Sequence, residues 1–107
     1  MTNVTEKKNK SNLLIQEGEE FFRGGKFEYA LECFEKILSK NQKNWKALNF
    51  KGCCLMKLDR FPEAKLCFDE SLKIDDSKAE SWGFFGSYYL QIDQNENAKK
   101  YFKQAEL

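Results

Sequence analysis

The feature that most constrains this chain is a repeat of 34 residues. Gly18, Gly52 and Gly86 keep that step, as do Ala30, Ala64 and Ala98, and Phe34, Phe68 and Phe102. Two more columns share it: Leu14, Leu48 and Trp82, and Phe21, Leu55 and Tyr89. The columns divide the chain into repeats 11–44, 45–78 and 79–107, the third five residues short. Such a chain folds by stacking one supersecondary unit on the next, because a single unit cannot bury its own apolar face.

Within each repeat the large–Gly–large triplet advances by four and then three residues, which places it on one helical face. The Ala–Phe pair further along is four apart and marks a second amphipathic helix. The segments between the two helices are 23–27, 57–61 and 91–95, where Gly, Asp and Asn suit helix ends and turns. Pro62, the single proline, falls in the first turn of a helix, where its missing N–H costs nothing. Ser77 with Glu80, and Asp93 with Glu96, have capping-box spacing and are expected to start helices. The small residues of the Gly and Ala columns let two helices approach closely, and the large columns fill the space around that contact. Residues 1–10 are polar and charged and are expected to form a disordered lead-in to a repeat domain over 11–107.

These columns resemble the tetratricopeptide repeat, whose pattern is a large residue, then Gly and an aromatic, then Ala and Phe, then a late Pro. The resemblance covers residues 11–107. It implies an all-α fold, a right-handed superhelical stack of three helix–turn–helix repeats. Two departures stand out. Gln42 and Asp76 replace the late Pro, so the turns between repeats lack their usual rigid stop. Glu17, Lys51 and Phe85 take the place of the Leu before the Gly.

In this family the first helices line a concave groove. At about 100° per residue, repeat positions 4, 7, 8 and 11 face the packing side, and positions 2, 5, 9, 12 and 13 face the other. The groove is therefore expected to carry Ile15, Glu19, Phe22 and Arg23 from repeat 1, with Asn12 beside them. Repeat 2 contributes Lys46, Asn49, Cys53, Met56 and Lys57, and repeat 3 contributes Glu80, Gly83, Ser87, Leu90 and Gln91. Phe50 and Phe84 lie at its edge. The column Phe22, Met56 and Leu90 is apolar throughout. It reads either as an anchor row for a peptide or amphipathic helix, or as side chains folded onto the second helix of their own repeat. One three-repeat subclass grips a terminal carboxylate with Lys, Asn, Asn, Lys and Arg. Those places here hold Ile15, Glu19, Phe50, Glu80 and Phe84, two acids and three apolar residues, so an acidic tail is not the expected ligand.

The expected function is that of a protein-binding scaffold or adaptor, with a protein or peptide bearing apolar anchors as partner. The alternatives are a purely structural, self-assembling repeat protein and an RNA-binding helical repeat. A formal net charge of +1 argues against nucleic acid. The chain has no His, no phosphate loop and no metal spacing, so neither catalysis nor a cofactor or metal is expected. Cys33, Cys53, Cys54 and Cys67 read as structural thiols rather than ligands. No run of 18 apolar residues occurs and no apolar stretch follows the charged N-terminus, so the chain is expected in the cytoplasm, away from membranes. The last helix carries Lys99 and Glu106 where repeat 1 has Leu31 and Leu38, and is expected to be a polar, solvent-facing end. A monomer is expected, with any self-association running through that end.

Overall fold

The computed structural model describes residues 4–107, with side chains from Lys10 onward. Among the described residues six helices follow one another: α1 (Val4–Arg23), α2 (Phe27–Lys40), α3 (Trp45–Lys57), α4 (Phe61–Ile74), α5 (Ala79–Gln91) and α6 (Asn95–Glu106). They pair as α1 with α2, α3 with α4 and α5 with α6, and the pairs stack in chain order.

The glycine column makes each pair. A Cβ at Gly18 would stand 2.6 Å from the Phe34 ring, one at Gly52 would stand 2.7 Å from Phe68, and one at Gly86 would stand 2.8 Å from Phe102. The ring of the second helix therefore sits in a notch that only glycine leaves open. Ala30, Ala64 and Ala98, all buried, let the helices close around it.

The pairs are joined by a second periodic contact. Phe34 stacks on Phe50 with centroids 5.2 Å apart, and Phe68 stacks on Phe84 at 6.5 Å, with the rings within 12° and 10° of parallel. Phe50 and Phe84 also meet edge to face at 5.5 Å. A polar trio lies between repeats 2 and 3. Asn49 Nδ2 donates to Ser81 Oγ at 2.9 Å, Ser81 and Ser71 hydroxyls are 3.2 Å apart, and Ser71 Oγ donates to the Trp45 carbonyl at 3.1 Å.

Each turn within a repeat ends its first helix in the same way. Gly25, Asp59 and Asp93 occupy one column and all have positive φ, between 60° and 77°. The following N–H of Lys26, Arg60 and Gln94 bonds back to Phe21, Leu55 and Tyr89, each at 2.8 Å, which satisfies carbonyls the helix would leave open. Asp93 thus closes α5 and does not cap α6, whose cap position is Gln94, with no side-chain bond to a helix N–H. Likewise Ser77 does not start α5: its N–H and hydroxyl both donate to Asp75 Oδ1. These bonds hold the Asp75 carboxyl below its ordinary pKa. One period earlier, Asn41 Oδ1 accepts from the Lys43 N–H at 3.1 Å. Side-chain-closed turns at Asn41 and Asp75 replace the missing late Pro.

α1 begins at Val4, ahead of the first repeat, and residues 1–3 of the expected lead-in lie outside the described residues. No Gly or Pro interrupts 4–17, and Glu and Lys propagate a helix well.

Candidate functional site

The side on which a groove lies follows from which helices touch. α3 contacts both α1 and α5, whereas among the described residues α2, α4 and α6 make no contact with one another. First helices crowd together and second helices fan out, so the stack curves toward the first-helix side.

The expected groove residues divide sharply by repeat. On α1, Ile15, Glu19 and Phe22 are half-buried and Arg23 is exposed. Phe22 meets Phe27 edge to face at 5.3 Å. On α5, Glu80, Leu90 and Gln91 are exposed, and Gly83 and Ser87 are partly so. Leu90 is 53% exposed, and a Cβ at Gly83 would meet nothing within 4 Å, so the face is open there. The middle helix departs from expectation. Asn49 is 0% exposed, Cys53 6% and Met56 8%. These three side chains are covered because α3 has a neighbour on each side, so positions that are half-buried on α1 and partly or fully exposed on α5 are enclosed on α3. Only Lys46, half-buried, and Lys57, exposed, remain at the surface from that repeat. Phe50 and Phe84 are half-buried and engaged in the inter-repeat stacks described above, rather than standing free at an edge. The apolar row therefore reduces to its two ends, Phe22 and Leu90.

Sequence reasoning missed the Asn49–Ser81–Ser71 trio. Its signal was a paired change: the columns of Ile15, Ile37 and Ala47 become Asn49, Ser71 and Ser81 one repeat on. Asn49 Oδ1 is buried without a partner among the described residues.

The four thiols are free and buried. Burial pushes Cys53 and Cys54 up to about 12 and Cys67 up to about 11, which keeps them protonated and unreactive near neutral pH. Among the described residues no group of three His, Cys, Asp or Glu side chains is placed to hold a metal ion, and no helix is long and apolar enough to cross a membrane.

Residues 45–78 and 79–106 each match a family model described as tetratricopeptide repeat, together more than half of the chain. Human cilia- and flagella-associated protein 70 is 30% identical over 67 residues, which is 63% of this chain and only 6% of that protein. Among solved structures, the first TPR of Spaghetti (RPAP3) bound to the HSP90 peptide SRMEEVD superposes with a TM-score of 0.78 at 20% identity, covering 91% of this chain and 77% of that one. The Sgt2 TPR domain from Aspergillus fumigatus gives a TM-score of 0.80 at 16% identity, covering 90% and 64%. The 34-residue columns, the glycine notches that those columns build, and two adjoining repeat matches lead to one conclusion: this chain belongs to the tetratricopeptide-repeat family.

Proposed function

We propose that this chain is a protein-binding module that holds a peptide or helix along the face formed by α1, α3 and α5. The observation that carries the reading is the 53% exposure of Leu90 on the inner side of the curve, next to the open surface at Gly83. Phe22 offers a second apolar contact at the other end of that face, and Arg23, Lys57, Glu19 and Glu80 supply a mixed rim around it. Apolar surface rimmed by polar residues on a concave face suits peptide docking, and a few apolar anchors carry most of the energy of such a complex. The family is a protein-interaction repeat, which fits an adaptor role rather than catalysis.

The partner is an internal segment with apolar side chains. The RPAP3 domain of similar fold binds a peptide ending in acidic residues. Here Glu19 and Glu80 stand where the carboxylate-gripping subclass has Asn and Lys, and they repel such a tail. The test is selection from a peptide library, followed by titration of the selected peptide and of SRMEEVD. The selected peptide should bind through apolar residues, and SRMEEVD should not bind. Phe22→Ala with Leu90→Ala should weaken the selected peptide more than Lys46→Ala with Lys57→Ala. The reverse order, or tight binding of SRMEEVD, would overturn the reading.

A further inference from the structure

Each internal joint is built from the second helix of one repeat and the first helix of the next, in fixed columns. At the first joint Phe34 stacks on Phe50 and Glu35 forms an ion pair with Lys51 at 3.8 Å. Glu35 also acts on Cys54, three residues after Lys51. At the second joint Phe68 stacks on Phe84, and Ser71 meets Ser81. The columns of that Ser pair hold Ile37 and Ala47 at the first joint, both buried.

Advancing the second-helix columns by one more period gives Phe102, Lys103 and Ala105 on α6. Moving the first-helix columns back by one gives Leu13, Gln16, Glu17 and Glu20 on α1. These two sets lie at opposite ends of the stack, and among the described residues neither has a repeat against it. Leu13 is 63% exposed, Gln16, Glu17, Glu20 and Lys103 are exposed, and Phe102 and Ala105 are half-buried.

The two ends complement each other column by column. The pair Glu35–Lys51 becomes Lys103 and Glu17, the same ion pair with its signs exchanged. Glu20, in the column of Cys54, places a second acid one turn along α1 from Glu17. The large–small pair Ile37 and Ala47 becomes Ala105 and Leu13, again exchanged, so the volume at that point is kept. In the same register Phe102 corresponds to Phe34, and Gln16 takes the place of Phe50. Lys99 and Lys100 add positive charge to the α6 end, although Lys99 is also 3.7 Å from Glu96 of its own helix.

We propose that a second copy of this chain docks head to tail, with α1 of one copy seated on the α6 end of another in the register of the internal joints. Lys103 of one copy then lies between Glu17 and Glu20 of the next. Because the contact joins unlike surfaces, it leaves one free end of each kind and propagates into a linear array rather than closing at a dimer. A tail-to-tail dimer is disfavoured because it would set Lys99, Lys100 and Lys103 against their own copies.

The experiment is sedimentation velocity of the 107-residue chain over a wide concentration range at low and high salt, with circular dichroism to confirm that each variant folds. The expected result is a mass that rises with concentration past the dimer and falls with salt. Lys103→Glu should weaken the association at least about tenfold, as like charges then face each other. Glu17→Lys with Glu20→Lys should do the same. Mixing those two variants in equal amounts should restore assembly, since every joint between unlike copies is again complementary. A monomer throughout, assembly that ignores Lys103→Glu, or a mixture that stays apart would overturn the proposal. So would a species that stops at the dimer and is strengthened by Lys103→Glu.

Discussion

Where the first repeat meets the second, Ile15, Ile37 and Ala47 are apolar and join the core. Where the second meets the third, the same columns hold Asn49, Ser71 and Ser81, which are 0%, 0% and 1% exposed and hydrogen-bonded to one another. One backbone joint thus accepts two chemistries. The apolar version relies on contact area and tolerates small shifts of one helix against the other. The polar version is directional, since a bond near 2.9 Å fixes the sliding of α3 against α5. Asn49 Oδ1, buried without a partner, is the cost of that directionality. Around the polar trio the second joint compensates with more rings: Phe68 meets Phe84, Phe85 and Tyr88, all within 6.5 Å.

The largest expected effect tests those rings. Phe68→Ala empties the Gly52 notch and removes three aromatic neighbours, and should lower unfolding free energy by about 3–5 kcal/mol in urea titration. Phe34→Ala empties the Gly18 notch but loses the single stack on Phe50, so it should fall toward the lower end of that range. A larger loss for Phe34 would make the first joint the stronger one and reverse the comparison.

The polar trio gives a smaller but sharper test. Ser81→Ala leaves both side-chain polar atoms of Asn49 buried without partners, and should cost about 1–3 kcal/mol. Carrying the first joint's residues into the second, as Asn49→Ile, Ser71→Ile and Ser81→Ala together, removes the polar groups along with their partners. That triple variant should melt closer to the natural protein than the single variant does. If it melts lower, the trio sets the geometry of the joint and not merely its hydrogen-bond balance.

The smallest effect separates the joints by pH. Cys54 lies at the first joint, and Tyr88 takes its column at the second. The folded thiol is pushed up to about 12 from an ordinary 9.0. Above the ordinary value the unfolded chain loses a proton that the folded chain keeps, so stability falls as pH rises from 9 toward 12. The loss should reach about 1 kcal/mol per buried thiol near pH ~10. Chemical denaturation at pH 8 and ~10 should show it, and Cys54→Ala should remove one thiol's share of the difference while Cys53 and Cys67 keep theirs.

The frame was legible in the sequence because its parts are recorded as identities. Glycine is needed to admit a ring, alanine to close the pair, and phenylalanine to fill the notch, so each leaves a column. The inner face was less legible. A helical wheel places Asn49, Cys53 and Met56 as it places Ile15, Glu19 and Phe22, but it contains no neighbouring helix. Burial there depends on whether a repeat sits in the middle of the stack or at its end. The expected cap at Asp93 was misread for a different reason. Asp both caps helix starts and tolerates positive φ, and only the glycine one period earlier, Gly25, separates the two roles for Asp59 and Asp93.

First helices touch one another, and second helices make no contact with one another among the described residues, so the inner side of the curve carries the contacts that set its bend. Straightening the array pulls α3 away from α1 and α5, stretching the Asn49–Ser81 bond and opening the Phe50–Phe84 contact. Tightening it presses α3 into the same two helices, and close-packed side chains resist compression. The inner helices therefore hold the bend against change in both directions, with no help from contacts between the outer ones.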